Sequence, residues 1–330
     1  MKKAAFIGPV HLLDAAYPPE VRAALSRLVE MAPKAIPPES WREHRSTLST
    51  AHLIFSTWHM PPLDEEFLAA APALEAVFYA AGTVKSFATP GAADRGLIIC
   101  SASGANAIPV AEYCLAIILL SLKNFWAHPW RTPETKFIKA SSEPWGVFGA
   151  TIGLVSFGAV GRHLAGLLSR HDVEIIVHDP HLPPQEATRL GVSLSPLGEL
   201  FRSCDVVSIH SPWLPETESL ITGEFIRSMQ PRATLINTSR GAVVDEPALC
   251  EALRDRPDLT AFLDVTHPEP PLPDSPLRFL PNVVLTPHIA GSMGSEVSRL
   301  GWWMLEEAKR YLDARPLRHR IDYNQLSVSA

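Results

Sequence analysis

Short apolar runs alternate with longer segments of helical periodicity over the first hundred residues. Four runs are rich in residues that favour strands: Ala4–Ile7, His52–Thr57, Glu75–Ala80 and Leu97–Ser101. Helices are expected between them over Pro19–Met31 and Asp64–Ala71. Strands and helices that alternate at this spacing are typical of βαβ units, so the pattern predicts a parallel sheet.

A second series of the same kind begins at Thr151. Six further strands are predicted: Thr151–Phe157, Glu174–His178, Val206–His210, Thr234–Asn237, Thr260–Asp264 and Val283–Thr286. Six strands joined by helical segments predict a doubly wound sheet. The last periodic segment, Ser295–Ala314, predicts an amphipathic helix.

Between the two series, residues 103–106 precede an apolar stretch that runs to Leu122. We expect a buried helix there, because the stretch from Val110 is too short to span a bilayer and contains Glu112. Residues 124–149 have no clear periodicity and carry three tryptophans: Trp126, Trp130 and Trp145. Two interpretations stay open, an arm that wraps a partner subunit and a surface loop packed on its own domain.

Composition narrows the class of protein. The chain has 330 residues, 46% of them hydrophobic and 19% charged, which suggests two globular domains. A net charge of −6 argues against a general nucleic-acid binder. Four cysteines lack metal or redox spacing, and three of them (Cys100, Cys114 and Cys204) lie in apolar runs that favour buried thiols. We expect a cytoplasmic protein whose first apolar run, ended by Gly8-Pro9, is a strand rather than a signal peptide.

A glycine-containing turn follows the first strand of the second series. Ser156-Phe157-Gly158-Ala159-Val160-Gly161 has the spacing of the G-x-G-x-x-G fingerprint, with Ser156 in place of the first glycine. Gly158 would let the backbone approach a pyrophosphate, and Gly161 would let the helix pack on the strand. The amides that begin the next helix would bind the phosphates. The alternative is a tight turn that binds nothing.

An acidic residue supports the dinucleotide interpretation. Asp179 ends the next predicted strand, 18 residues after Gly161. A carboxylate there accepts hydrogen bonds from the ribose hydroxyls and repels a 2′-phosphate, so NAD is predicted over NADP.

Three more polar segments follow predicted strands, where doubly wound sheets hold their ligands. They are residues 236–241, 263–270 and 285–292. Together with His210-Ser211-Pro212, Pro215-Glu216-Thr217 and Val243-Val244-Asp245-Glu246, these ordered motifs resemble the D-isomer-specific 2-hydroxyacid dehydrogenases. The resemblance runs from about Ala51 to Met304 and includes Ser103–Asn106 with Val110-Ala111-Glu112.

The resemblance implies roles for matching positions. Arg240 would bind the substrate carboxylate and polarise the keto oxygen. His288 would act as general acid in reduction and general base in oxidation, with Glu269 fixing its tautomer. Asp264 would contact the nicotinamide end of the site. Taken singly, each residue has an ordinary structural or surface interpretation; their joint order favours the catalytic one.

The resemblance also implies two sets of binding residues. The cofactor set is Ser156, Gly158, Ala159, Val160, Asp179, Ser211, Pro212, Thr217, Thr238, Ser239, Arg240, Asp264, His288 and Gly291. The substrate set is Gly82, Thr83, Arg240 and His288. No metal site is expected, and His178, His210, His267 and Asp205 are interpreted as structural.

The sequence departs from the family pattern in the first domain. The stretch 80–87 is one residue shorter than the usual substrate loop and lacks its second glycine and its acid. Lys85 is either an extra anion contact or a solvated lysine, and Trp58 is either an apolar wall of the site or a core residue. The loop Ser56–His59 lacks the arginine typical of phosphoglycerate-type members, which favours an unphosphorylated substrate. Ala159 stands where many members have an arginine for the pyrophosphate.

We therefore expect a Rossmann NAD-binding domain, residues 103–292, inserted in a flavodoxin-like substrate domain, residues 1–102 with 293–330. A cleft between them would close over a small keto acid resembling glyoxylate or hydroxypyruvate, in a homodimer that binds neither nucleic acid nor membrane. The alternatives are a catalytically silent NAD(H)-binding sensor or corepressor, and an enzyme for a phosphite- or formate-type anion. A pure scaffold is least favoured, because it gives no reason for polar residues at several strand ends.

Overall fold

The computed structural model describes residues 1–127 and 146–326. The tryptophan-rich segment lies largely outside the described residues, so its predicted role as a dimer arm stays a prediction. The chain divides into two compact units. Unit 1 comprises residues 1–106 and 292–330, and unit 2 comprises residues 107–291.

Unit 1 is built on a five-stranded parallel sheet. Its elements before residue 102 are β1 (Lys3–Ile7), α1 (Val10–Ala16), α2 (Pro19–Ser26), β2 (Glu30–Met31), α3 (Arg45–Leu48), β3 (Leu53–Ser56), α4 (Glu65–Ala70), β4 (Ala76–Tyr79), α5 (Pro90–Asp94) and β5 (Ile98–Ser101). The strand order is β2-β1-β3-β4-β5. This is the flavodoxin-like order, as expected for the fold class.

One predicted helix of unit 1 is wrong at its end. The helix predicted over Pro19–Met31 stops at Ser26, and Glu30–Met31 instead forms the edge strand β2 beside Lys3 and Ala4. A two-residue strand is too short to show alternation, which explains why the pattern missed it. Helix α1 was also missed, because it begins directly after Gly8-Pro9.

The C-terminal helix belongs to unit 1. Helix α12 (Val297–Leu312) packs against α1, and a Cβ at Gly301 would lie 1.8 Å from the carbonyl oxygen of Ala16. The predicted amphipathic helix over Ser295–Ala314 is thus confirmed. Glu307 is buried and accepts hydrogen bonds from the backbone amides of Arg318 and His319. This contact holds the C-terminal segment against the helix.

Unit 2 is built on a seven-stranded parallel sheet. After α6 (Ser103–Ser121), which begins at the end of unit 1, its elements are β6 (Ala150–Val155), α7 (Ala159–Leu168), β7 (Val173–His178), α8 (Pro184–Arg189), β8 (Ser193–Leu194), α9 (Leu197–Ser203), β9 (Val206–Ile209), α10 (Gly223–Arg227), β10 (Thr234–Asn237), α11 (Glu246–Asp255), β11 (Thr260–Leu263) and β12 (Val283–Leu285). The strand order is β12-β11-β10-β9-β6-β7-β8. Strand order reverses beside β6, which is the topological switch of a dinucleotide-binding sheet.

The predicted count of six strands was one too low. The extra strand, β8, is two exposed residues long and lies at the edge of the sheet beside β7. The other six strands match their predictions to within two residues at each end. Successive strand residues pack on opposite faces, as Leu154 and Val155 of β6 do, so apolar cores cover both faces of the sheet.

Helix α6 is, among the described helices, the one long and apolar enough to cross a membrane. Its most apolar window has a mean hydropathy of 1.5 and is 44% buried in the protein. The core helix of a soluble protein passes the same test, so this is weak evidence for a membrane span. All four cysteines are buried free thiols.

Candidate active site

The nucleotide turn leaves β6 in an unusual backbone conformation. Ser156 has φ +71°, in the left-handed region that favours glycine, which accounts for the glycine usually found at this place in the fingerprint. Its hydroxyl lies 2.8 Å from the hydroxyl of Ser211, at the end of β9. The two cofactor residues predicted at these strand ends are therefore in direct contact.

The start of α7 matches the expected phosphate cradle. Gly158 caps the helix, and a Cβ added to it would meet no atom within 4 Å. Ala159 and Val160 form the first turn, where backbone amides have no partner within the helix. At Gly161 a Cβ would lie 2.8 Å from the carbonyl oxygen of Ser156. The last glycine thus permits close packing of helix on strand.

Asp179 lies beside this turn, directly after β7. Its carboxylate accepts hydrogen bonds from the amides of Phe157 at 2.7 Å and His181 at 2.8 Å. A carboxylate has about four acceptor sites, so two amide bonds leave capacity for ribose hydroxyls. These features together fit a dinucleotide.

The loop after β9 is fastened by its own threonine. The Thr217 hydroxyl donates to the carbonyl oxygen of Pro212 and accepts from the amide of Leu214. His210, at the start of this loop, has a buried Nε2 with no hydrogen-bond partner among the described residues. Burial lowers the pKa of His210 to about 4, so the ring is neutral at neutral pH.

Asn237 organises the loop that carries Arg240. This buried side chain accepts from the amide and hydroxyl of Ser239 through Oδ1, and donates from Nδ2 to the carbonyl oxygen of Arg240 at 3.0 Å. Thr238 lies 3.3 Å from Sγ of Cys114 on α6. The sequence motif contained Asn237, but its role as the organiser of the loop was not predicted. The available signal was an asparagine at the end of an apolar strand, where a polar side chain needs hydrogen-bond partners.

Gly241 allows two site loops to touch. A Cβ at this position would lie 2.0 Å from the backbone carbon of Thr266, in the loop that carries Glu269. That second loop is held further by Glu246, whose carboxylate accepts from the His267 amide and from the Ser275 hydroxyl. The approach brings the segment after β10 against the segment after β11.

Arg240 lies close to Glu269 as a result. Burial lowers the pKa of Arg240 below its ordinary value, and the Glu269 carboxylate acts in the opposite direction. The guanidinium remains a cation, and Nη1 donates to the carbonyl oxygen of Ser239 at 2.6 Å. A partly buried cation with one bond to its own loop is suited to a carboxylate ligand.

His288 is held by Glu269. Its Nδ1 lies 2.6 Å from Oε1 of Glu269, and both side chains are partly exposed, at 48% and 42%. A carboxylate only accepts, so Nδ1 carries the proton and Nε2 is left for a reacting group. His288 has φ +54°, in the left-handed region.

Asp264 has a role that was not predicted. Its expected contact with the nicotinamide end of the site stays a prediction. Its buried carboxylate accepts hydrogen bonds from the Thr286 hydroxyl and from the amides of Ile289 and Ala290. These bonds hold the turn that contains His288. The structure therefore makes Asp264 a positioning residue for that turn.

The predicted substrate loop belongs to unit 1. The hydroxyl of Ser101 donates to the carbonyl oxygens of Ala81 and Gly82, which fixes the loop after β4. The backbone amides of Gly82, Thr83 and Val84 donate no hydrogen bond to any residue in the described ranges. Unpaired backbone amides in a turn are suited to an anion. Trp58 packs partly buried against both cores of unit 1, which matches the core alternative.

Sequence comparison identifies the class to which this fold and these residues belong. Residues 115–290 match the model of the D-isomer specific 2-hydroxyacid dehydrogenase, NAD binding domain. The chain therefore belongs to the D-isomer specific 2-hydroxyacid dehydrogenase family, and unit 2 is its NAD-binding domain.

Individual relatives agree with this family. The (S)-sulfolactate dehydrogenase of Chromohalobacter salexigens is 33% identical over 77% of this chain and 82% of its own. The D-3-phosphoglycerate dehydrogenase of Mycobacterium leprae is 32% identical over 75% of this chain, and the match spans 47% of that longer protein. The chain thus matches about half the length of the phosphoglycerate dehydrogenases.

A solved structure agrees over the whole chain. The phosphoglycerate oxidoreductase from Rhizobium etli has a TM-score of 0.84 and 25% identity, over 99% of this chain and 100% of that one. A glyoxylate reductase from Paecilomyes thermophila shares the fold at a TM-score of 0.77 and 21% identity.

Proposed function

We propose that this protein is an NAD-dependent dehydrogenase that interconverts a small 2-keto acid and the corresponding D-2-hydroxy acid. The observation that carries the proposal is the His288–Glu269 pair beside Arg240, at the strand ends of an NAD-binding domain. A cation for a carboxylate and a tautomer-fixed imidazole are the two groups that this reaction requires of the protein.

The chain's own residues account for the acid–base part of the reaction. Bound NADH supplies the hydride for C2 of the keto acid. Arg240 binds the substrate carboxylate and polarises the keto oxygen. Protonated His288 donates the proton on Nε2 to that oxygen, and Glu269 stabilises the imidazolium from which it leaves. In oxidation, neutral Nε2 accepts the hydroxyl proton.

We propose that unit 1 is the substrate domain and that the amides of Gly82 and Thr83 also bind the substrate carboxylate. These amides donate to no residue within 1–127 or 146–326, which supports this assignment. The loop Ser56–His59 contains no arginine, which favours an unphosphorylated side chain of the glyoxylate or hydroxypyruvate kind. Because named relatives act on phosphoglycerate and sulfolactate, phosphorylated and sulfonated keto acids are the competing substrates.

The test is an assay of several candidate substrates in which the absorbance of NADH reports turnover. The purified protein is given glyoxylate, hydroxypyruvate, pyruvate, 2-ketobutyrate, phosphohydroxypyruvate or sulfopyruvate, with NADH and with NADPH. We expect turnover of an unphosphorylated keto acid with NADH, lost in His288→Gln. Binding of NADH without turnover of any of them would contradict the proposed reaction and favour a sensor.

We also propose a cytoplasmic homodimer with no nucleic-acid or membrane partner. Four buried free thiols suit a reducing compartment, and the net charge of −6 disfavours binding to nucleic acid. The aromatic composition of residues 124–149 supports a subunit contact. Light scattering after size exclusion should give twice the chain mass of 36.1 kDa; a monomer at working concentration would contradict the dimer.

A further inference from the structure

Tyr113, on α6, begins a hydrogen-bonded chain that ends at the turn containing His288. Its hydroxyl lies 2.8 Å from Oγ1 of Thr286, and that hydroxyl donates to Oδ1 of Asp264 at 2.6 Å. The carboxylate of Asp264 in turn accepts hydrogen bonds from the amides of Ile289 and Ala290, each at 2.9 Å. All five residues belong to unit 2.

The number of protons on each hydroxyl group sets the direction of the hydrogen bonds in this series. A threonine hydroxyl has one proton, and Thr286 donates it to the carboxylate of Asp264. The hydroxyl of Tyr113 must therefore donate to Thr286. A donor at the far end polarises the Thr286 hydroxyl and strengthens its bond to Asp264.

The turn at the end of the chain needs to be held. His288 has φ +54°, a conformation that costs a residue other than glycine free energy. The bonds from Asp264 to the next two amides offset this cost. They also orient the imidazole toward Glu269, since the direction of a side chain follows its backbone.

We infer that Tyr113 is a positioning residue that holds the 288–290 turn and, through it, the ring of His288. The catalytic part of this inference rests on the proposed dehydrogenase function. The phenol ring itself packs edge-on against Phe262, with ring centroids 6.1 Å apart. Tyr113→Phe keeps that packing and removes only the donor.

A matched variant controls for loss of a tyrosine hydroxyl elsewhere. Tyr323, in unit 1, donates its hydroxyl proton to the carbonyl oxygen of Leu97 at 2.9 Å, so its hydroxyl is not a member of this chain of bonds. At Thr286, the variant Thr286→Ser keeps the hydroxyl and Thr286→Val removes it.

The first readout is hydrogen exchange at the amides of Ile289 and Ala290 in the protein without ligands. We expect exchange to be about three- to tenfold faster in Tyr113→Phe, as for loss of one hydrogen bond. Thr286→Val should exchange at least as fast, while Thr286→Ser and Tyr323→Phe should match the wild type. Unchanged exchange in Tyr113→Phe would overturn the inference.

The second readout is turnover. We expect kcat of Tyr113→Phe to fall about three- to tenfold while the Kd for NADH stays within about twofold, with recovery in Thr286→Ser relative to Thr286→Val. Faster exchange with unchanged kcat would overturn the positioning role. If the wild type turns over no keto acid, the proposed function fails, and the exchange rates alone still decide whether Tyr113 holds the turn.

Discussion

Nδ1 of His288 lies 2.6 Å from Oε1 of Glu269, so a carboxylate fixes which nitrogen of the imidazole carries the proton. The remaining nitrogen, Nε2, is then an acceptor in the neutral ring and a donor in the cation. One side chain can therefore serve both directions of a redox reaction. Glu269 stabilises the cation in the same arrangement.

Replacing Glu269 by glutamine should lower kcat strongly without unfolding the protein. An amide can offer its NH₂ group to Nδ1 and so favour the wrong tautomer, and it no longer stabilises the imidazolium. We expect kcat to fall about a hundredfold or more, with the Kd for NADH nearly unchanged. Steady-state kinetics and NADH titration measure the two quantities.

The control for this variant is Glu251→Gln, which neutralises an exposed carboxylate on α11. Its kinetics should match the wild type. A Glu269→Gln enzyme with wild-type kcat would show that the pair has no part in proton transfer.

Replacing Gly241 by alanine should damage both stability and activity. The new Cβ would lie 2.0 Å from the backbone of Thr266, so one of the two site loops must move. We expect a loss of at least about 2 kcal/mol in the free energy of unfolding, measured with urea. The displaced Arg240 loop should also raise KM for the keto acid.

Gly166→Ala is the matched control. Gly166 lies on the exposed side of α7, and a Cβ there meets nothing within 4 Å outside the helix. Alanine in a helix interior is favoured over glycine by about 0.5–1 kcal/mol, so this variant should be slightly more stable than the wild type. Equal losses in the two variants would refute the close approach at Gly241.

The backbone of Ser156 predicts a difference between two small substitutions. Both Ser156→Ala and Ser156→Gly lose the contact with the Ser211 hydroxyl, but only glycine relieves the conformation at φ +71°. We expect the glycine variant to be more stable than the alanine variant by about 1 kcal/mol in chemical denaturation.

Ser211→Ala deletes the other hydroxyl of this pair, so it should lose the same hydrogen bond as Ser156→Ala. An alanine variant as stable as the glycine variant would mean that Ser156 does not adopt the left-handed conformation.

The buried ring of His210 predicts a pH dependence of stability. Its folded pKa is lowered to about 4 from an ordinary value of 6.5, because burial disfavours the cation. The unfolded chain therefore binds more protons than the folded one between these values, and the stability that a neutral ring permits is lost as pH falls from 6.5 toward 4. The full shift corresponds to roughly 3 kcal/mol.

His210→Asn removes this titration. The free energy of unfolding of the variant relative to the wild type should rise by up to about 3 kcal/mol between pH 6.5 and pH 4. Subtracting the two curves removes the contribution of the carboxylates that both proteins share. Parallel curves would show that the ring titrates alike in both states.

Long apolar strands and the residues at their ends were predictable from the sequence. Strand β10 was predicted at its observed bounds, and the motifs after it named Arg240 correctly as part of a strand-end loop. The elements that were not predicted have no distinctive local sequence pattern. Strand β8 is two exposed residues at an edge, and helix α1 follows directly after a Gly-Pro pair that usually marks a break.

The contacts between site residues were less predictable than the residues themselves. The bonds from Asp264 to the 289–290 amides join segments that are distant along the chain, and so does the approach of Gly241 to Thr266. No spacing rule encodes such pairs, because they depend on which strands are neighbours in the sheet. The contact of Tyr113 with Thr286 was not predicted for the same reason, because Tyr113 is one aromatic residue in an apolar helix.

The proposed reaction is hydride transfer to C2 of a keto acid with His288 as proton donor. The most direct measurement is chiral analysis of the product formed from hydroxypyruvate or pyruvate, with NADH deuterated at the transferred position. We predict that the wild type forms the D-hydroxy acid with deuterium at C2, and that His288→Gln forms it at a small fraction of that rate. An L-product, a product without deuterium, or equal rates in the two proteins would contradict this reaction.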